Sequence, residues 1–372
     1  METVQSVEVF KVGMAHPTDL AGVVSLVEAG ALDLRDLVAV IGKTEGTGEV
    51  DDPNRAACER ALTDLLVMRA GLAEGEVAAR VPIVLSGGCA GVLSPHLTLF
   101  CRRRLRATAP GDPRLVIGTA MSEPIPHDEI GRMGQIQRVA RAVTAALADA
   151  GLSDPGAARF VQVKNPALTT ARIAALRERG VPAVSDDPAT ALMYSCDAAA
   201  LGVAVALGEI AADRLSDAVV RRDFSLYSRV ASASAGGEKT RAEVIVLGNA
   251  RASTSPFRVG HAVLRDLVDA DGVRTALRDA GLGFEALPGP AEQARIVNVF
   301  AKAIVPGHGT CRGRRFCMLE DRVLGTKPAR AIVNAVIASV TGDPMNFVSG
   351  GEVDSHQGPP DGMPCAAIVR VA

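Results

Sequence analysis

The sequence predicts an α/β protein made of three similar repeats whose equivalent ends meet around one central pocket. Three observations predict it. First, three β-branched runs end in a lysine: Lys43 in VAVIGK, Lys164 in FVQVK and Lys302 in VNVFAK. Second, three later runs end in serine followed by small residues: Ser86 in IVLSGG, Ser234 in ASASAGG and Ser349 in FVSGG. Each lysine precedes its serine, so the pairs recur in order, the mark of a triplicated unit. Third, the 372 residues are 48% hydrophobic yet 3% aromatic, with no tryptophan. Ala, Val and Leu must fill the interior, which suits helices packed closely on sheets.

Within residues 1–108, the alternating VEVFKV reads as a strand and the stretch 19–29 as an amphipathic helix. VAVIGK, a helical segment over 55–70, VPIVLSGG and the strand LTLF follow. APGDP at 109–113 punctuates the join to the second repeat, 109–252. That repeat reads LVIGTA, a helix over 130–150, FVQVK, helical segments over 167–179 and 189–212, SRVASASAGG and AEVIVLG. In the third repeat, 253–372, VIVLGNA just upstream serves as the opening strand. A helix over 262–280, VNVFAK, a helix over 329–340, NFVSGG and AAIVRVA complete it. The lysine-to-serine spacing is longest in the middle repeat, so that copy carries an insertion and the three are not interchangeable.

Composition narrows the function classes. A formal charge of −2 offers no field for nucleic acid or an anionic membrane. The start METVQSVEVFKVG has Glu2 and Glu8 and no basic n-region, against a signal peptide. The most apolar stretch, 198–212, is broken by Glu209 and two glycines and reads as a buried helix. Seven scattered cysteines without a CxxC predict reduced thiols in the cytoplasm, and the dispersed histidines predict no zinc site. RGRRF at 312–316 reads as a solvated or salt-bridged loop. No GxGxxG follows the first strand, against a nucleotide-binding protein.

The recurring residues support nucleophilic chemistry. A serine hydroxyl needs a base, and a lysine serves once burial or neighbouring cations lower its pKa from about 10.4. Three converging lysines and several arginines do this to one another. Gly87, Ala235 and Gly350, each next to its serine, keep the chain slim and let backbone N–H groups approach a carbonyl. This layout needs no metal or organic cofactor for catalysis.

The chain resembles the cyanuric acid hydrolases and barbiturases, the ring-opening amidohydrolases. The motifs that carry the resemblance run the length of the chain: LSGGCAGVLSPH at 85–96, YSCDAAALGVAVALGEI at 194–210, VIVLGNA at 244–250, VNVFAKA at 297–303, RGRRFCMLEDR at 312–322, ARAIVNAVIASVTGDP at 329–344 and SGGEVDSHQGPPDGMP at 349–364. The resemblance implies three α/β domains around a pseudo-threefold axis, three Ser–Lys pairs lining a pocket for a heterocyclic small molecule, and a homotetramer. It implies Ser234 as nucleophile with Lys164 as its base. Ser86 with Lys43 and Ser349 with Lys302 would bind and polarise the ring, with backbone amides from Gly87, Ala235 and Gly350. It also implies one arginine per repeat near the substrate, matched by Arg55 and Arg330.

Two departures stand out. Where the family has Ser-Arg-Gly in the middle repeat, this chain reads Ser195-Cys196-Asp197, and Cys196 supplies no cation. This predicts a less symmetric cyclic imide or ureide, larger on that side, as substrate. The family also holds a structural divalent ion, Mg²⁺ or Ca²⁺, by the loop corresponding to Gln357–Gly362, with a glutamate two residues after the third lysine. Ile304 stands there; Glu352 or Asp354 are the alternative carboxylates, and His356 reads as a loop-stabilising side chain. The rival readings are a divergent binding protein without turnover and a Ser–Lys amidase on linear amides. The latter usually carries a dense Gly-Ser-Ser-Gly-Gly run, absent here.

Overall fold

The computed structural model describes residues 3–106, 111–317 and 326–371. Residues 109–110 of the predicted join and 318–322 of the RGRRFCMLEDR motif lie outside the described residues.

Three four-stranded sheets share one plan. The first holds β1 (Thr3–Gly13), β2 (Leu37–Lys43), β3 (Ile83–Ser86) and β4 (His96–Arg106), in the order β1-β4-β2-β3. The second holds β5 (Arg114–Pro124), β6 (Ala158–Pro166), β7 (Ala231–Gly236) and β8 (Arg241–Ala250), in the order β5-β8-β6-β7. The third holds β9 (Phe257–Leu264), β10 (Ile296–Val305), β13 (Phe347–Val353) and β14 (Met363–Arg370), in the order β9-β14-β10-β13. Two short strands, β11 (Thr310–Cys311) and β12 (Arg314–Arg315), form a separate ribbon. In each large sheet the second and third strands pair in parallel and the other pairings are antiparallel. Each second strand shifts register against its fourth near its start, between Leu37 and Ala39, Ala158 and Phe160, and Ile296 and Asn298. A shared irregularity at one place in three sheets marks copies of a single unit.

A parallel pair needs a helical crossover. In the first unit α1 (Ala21–Glu28) follows β1, and α2 (Pro53–Ala70) with α3 (Glu74–Arg80) link β2 to β3. Asp52 caps α2 by accepting from Asn54 N, Pro53 opens it and Gly71, at φ 70°, ends it. In the second unit α4 (Met133–Ala150) follows β5, and α5 (Thr170–Glu178) with α6 (Pro188–Ala206) link β6 to β7. In the third unit α7 (Ala270–Asp279) and the short α8 (Pro290–Gln293) follow β9, and α9 (Thr326–Thr341) precedes β13. By length and composition α6 is apolar enough to cross a membrane, but most of it is buried against α4 and β7, making it a core helix.

The segment read as a helix over 262–280 is corrected. Its first residues end β9, whose FRVGHAVL buries alternate side chains, and the helix begins only after Asp269, which caps it through Gly272 N. VIVLGNA therefore closes the second sheet, and β9 opens the third. The helix over 189–212 also stops early, at Ala206, with Gly208 in the left-handed region at φ 72°.

Each unit packs its helices on the outer face of its sheet. The inner faces of all three sheets meet in a common core, with Ile41 and Phe100 from the first, Phe160 and Ile245 from the second, and Phe300 and Phe347 from the third. Phe300 lies 6.4, 5.4 and 6.0 Å, ring centre to ring centre, from Phe100, Phe160 and Phe347. Side chains two residues apart on a strand share a face. Ile41 and Lys43 therefore face the common centre together, as do Phe300 and Lys302, and Phe347 and Ser349.

Candidate active site

The three lysine–serine pairs are strand neighbours. Lys43 opposes Ser86 in β2–β3, Lys164 opposes Ser234 in β6–β7, and Lys302 opposes Ser349 in β10–β13. All three lysines are buried, at 1% exposure or less, where an unpaired ammonium is costly. They reach across unit boundaries. Lys164 Nζ donates to the carbonyl of Leu85, just before Ser86, at 2.9 Å, and Lys302 Nζ donates to that of Ala233, just before Ser234. The strand ends of different units are thereby gathered into one site.

The pairs differ in their surroundings. Lys43 Nζ lies 3.1 Å from Ser86 Oγ and 2.7 Å from Gly87 O. Burial, reinforced by the Arg330, Arg55 and Lys302 cations, holds its pKa well below the ordinary lysine range. Lys164 Nζ contacts Ala235 O at 3.3 Å and Glu238 Oε1 at 2.9 Å. Burial lowers Lys164 to about 8, and Glu238 opposes the fall. Burial alone would raise the Glu238 carboxyl, but Lys164 and Arg55 outweigh it and bring it down to about 2. Lys302 pairs with Glu352 Oε1 at 3.1 Å. Ser234 Oγ and Ser349 Oγ are shielded from solvent and have no hydrogen-bond partner among the described residues. Two buried hydroxyls without partners, beside lysines, are positions for a ligand to satisfy.

Each helix linking a second to a third strand brings one residue toward this cluster. Arg55 of α2 reaches into the middle unit: its Nε lies 3.1 Å from Glu238 Oε1, while Nη2 donates to Glu49 O and Val50 O, both at 2.8 Å. Arg330 of α9 donates to Gly350 O at 3.1 Å and lies against Gly48 and Gly88 of the first unit. Cys196 of α6 is buried near Glu352 and Lys302; burial first, and Glu352 second, raise its thiol pKa. The slim positions are tight. A Cβ on Gly87 would fall 2.2 Å from Asp52 Oδ2, and one on Gly350, at φ 101°, would meet Ala303 O at 2.5 Å.

Glu238 is the residue that sequence reasoning missed. The signal was present: Ser-Ala-Gly-Gly-Glu in the middle repeat parallels Ser-Gly-Gly-Glu in the third, whereas the first repeat has Cys89 and Ala90 in that region.

Most side chains around the C-terminal loop are already committed to protein partners. Ile304 sits in the apolar core of the third unit. Glu352 is engaged by Lys302 through Oε1 alone, and Asp354 Oδ1 accepts from Gly307 N at 2.8 Å. Arg221 donates to the carbonyls of Val353 at 2.8 Å and Asp354 at 3.2 Å and pairs with the buried Asp197. Asp197 also accepts from Ser355 Oγ and from His356 N at 3.1 Å. His356 donates from Nδ1 to Leu226 O, leaving Nε2 to accept from Arg221 N at 2.9 Å, in keeping with a loop-stabilising role. Among the described residues no group of three His, Cys, Asp or Glu is placed to hold a metal.

Elsewhere the expectations have structural outcomes as well. Arg312 of the RGRRF run pairs with Asp266, Arg314 and Arg315 are exposed, and all seven cysteines are free.

The family that the motifs resemble is also the one that comparison returns. The amidohydrolase ring-opening protein profile matches residues 8–370. A cyclic amide hydrolase of Azorhizobium caulinodans is 46% identical over 365 residues, covering 98% of this chain and 99% of its own. Barbiturase 2 of a Nocardioides species is 41% identical, covering 98% of each chain. A solved cyanuric acid hydrolase, described as an evolutionary innovation by structural concatenation, superposes with a TM-score of 0.93 at 42% identity over 99% of this chain and all of its own. That description agrees with three sheets of one plan around a shared core. The chain belongs to the ring-opening amidohydrolase family.

Proposed function

We propose that this protein hydrolytically opens a six-membered cyclic amide, imide or ureide of the cyanuric acid or barbiturate kind, with Ser234 as nucleophile and Lys164 as its base. The observation that carries this reading is the middle pair itself: a buried hydroxyl with no protein partner, in register with a lysine whose pKa falls near the working range of an enzyme. At pH 7 about a tenth of a group with that pKa is free amine, and the fraction rises with pH. The free amine takes the Ser234 proton as Oγ bonds to a ring carbonyl carbon. The tetrahedral intermediate expels the ring nitrogen, which receives that proton from Lys164. Water then cleaves the ester and frees Ser234. Backbone amides of Gly87, Ala235 and Gly350 and the flanking serines would hold the developing oxyanion. Arg55 and Arg330 would orient the ring and favour its anionic tautomers.

Lys43 suits a different task. Its amine already contacts Ser86 Oγ at 3.1 Å, with its pKa held well below the ordinary lysine range, so it would act through Ser86 in polarising a carbonyl. The family name, identity and coverage support the reaction class, and the paired geometry supports the roles. A cytoplasmic location, supported by the free cysteines, and a loop held by Arg221 without a metal belong to the same proposal, as does the homotetramer that the resemblance implies.

The deciding experiment is mass spectrometry of the protein quenched during turnover of cyanuric or barbituric acid. An acyl adduct on Ser234 is expected. An adduct on Ser86 or Ser349, or steady turnover by Ser234→Ala, would refute the assignment.

A further inference from the structure

The glutamates after the second and third serines invite a direct comparison. Glu238 has both carboxylate oxygens engaged: Oε1 by Lys164 and Arg55 Nε, and Oε2 by Arg55 Nη2 at 3.4 Å. Glu352 has Oε1 on Lys302 and feels the Arg330 charge, but Oε2 is buried with no hydrogen-bond partner among the described residues. The difference follows from the linking helices. Arg55 reaches from the first unit to Glu238 in the second, and Arg330 from the third unit lies against the first. At the junction of the second with the third, α6 presents Cys196, whose thiol cannot satisfy a carboxylate as a guanidinium does. Glu352, with a side-chain exposure of 7%, therefore keeps one oxygen lone pair unanswered.

A buried acceptor without a donor is costly, and a ligand that supplies the donor recovers that cost. Resting on the ring-opening reading above, we infer that the corner formed by Glu352 and Cys196 selects a heterocycle presenting an N–H or exocyclic amino group there, where a guanidinium would select a carbonyl or enolate oxygen. The substrate class is thus an amino-substituted or otherwise donor-bearing cyclic ureide with two carbonyls turned toward Arg55 and Arg330. A ring with an oxygen at all three corners sets one of them against the Glu352 carboxylate, acceptor against acceptor.

The test compares cyanuric acid with the triazine in which one oxygen substituent is replaced by an amino group. Turnover is followed by loss of ring absorbance, and binding by calorimetry on the Ser234→Ala protein. The wild-type protein is expected to favour the amino ring by about ten-fold or more in both kcat/KM and affinity. Cys196→Arg should shift the preference toward cyanuric acid, and Glu352→Gln should shrink the discrimination, with circular dichroism confirming that each variant is folded. Equal or tighter binding of cyanuric acid by the Ser234→Ala protein overturns the inference. So does a preference unmoved by both Cys196→Arg and Glu352→Gln. Because binding is read without turnover, failure of the Ser234 mechanism would show in the kinetic measurement alone and leave this result legible.

Discussion

The first and middle lysine–serine pairs share strand register, sheet position and burial, yet they face different charges. Around Lys43 burial first, and then the Arg330, Arg55 and Lys302 cations, hold the amine's pKa well below the ordinary lysine range beside Ser86. Around Lys164 a single carboxylate, Glu238, stands between the amine and Arg55 and keeps the pKa at about 8. Three copies of one unit can thus hold the same residues and assign them different chemistry. The acid four residues beyond Ser234 makes the difference: it opposes the fall of the Lys164 pKa, whereas Cys89 and Ala90 stand in the corresponding stretch of the first repeat.

The largest effect should come from the serines. Ser234→Ala is expected to lower kcat by about 10³-fold or more, since nothing else supplies the nucleophile. Ser86→Ala and Ser349→Ala, which remove polarising contacts, should cost about 10²-fold each. Steady-state kinetics on the three variants would break the comparison if Ser86→Ala were the most damaging.

Next in size is the pH dependence. In the wild-type protein the rate should climb with pH through about 8 as Lys164 loses its proton. In Glu238→Gln the group that holds this pKa up is gone, so the rising limb should move to lower pH, toward the behaviour of Lys43. Arg55 also loses its partner, so the maximum rate should fall. Arg55 and Lys239 are cations that lower the Lys164 pKa, and they push the limb in the same direction once the carboxylate is neutralised. A limb that stays in place would show that Lys164 is not the titrating base.

Stability should separate the pairs more gently. Both lysines have folded pKa values below that of an unfolded lysine, so each shift withholds stability at neutral pH. For Lys164 the deficit closes as pH rises from about 8 toward the ordinary lysine range. Lys43→Met replaces a buried amine that has no carboxylate and should stabilise the fold by about 1 kcal/mol while lowering activity. Lys164→Met leaves Glu238 with Arg55 alone and should cost about 1 to 2 kcal/mol. Denaturant titration of both variants reads the difference in sign.

Much of this arrangement was legible in the chain. Lysines ending β-branched runs, and serines ending later ones, were found because strand periodicity is local and the order recurs three times. β9 escaped because FRVGHAVL is short and runs close to a helix of similar composition. Glu238 escaped for a different reason: an acid after a Gly-Gly turn has the pattern of a solvated residue, and only the approach of Arg55, from 183 positions away, gives it a role. Partners brought together by packing leave no local trace. Cys196 was noticed by its departure from a pattern, but the unanswered oxygen of Glu352 required the fold.

The smallest effect is expected from chelation, and it probes what holds the middle pair in place. Gln357 Oε1 accepts from Ala233 N, next to Ser234, at 2.6 Å, and Gln357 Nε2 bonds Ser355 Oγ, which in turn donates to Asp197. Arg221 closes this network from the middle unit by binding Asp197 and two carbonyls of the C-terminal loop. A guanidinium thus supplies positive charge to these two loop carbonyls. Incubation with EDTA should leave both the melting temperature and the activity unchanged, because the Arg221–Asp197 pair ties the loop together without an ion. Arg221→Ala should lower the melting temperature instead, by an amount corresponding to about 3 kcal/mol, since it strands the buried Asp197 without its cation. A melting temperature that falls on chelation and recovers with Mg²⁺ or Ca²⁺ would place an ion in the loop and demote Arg221 to a lesser contact.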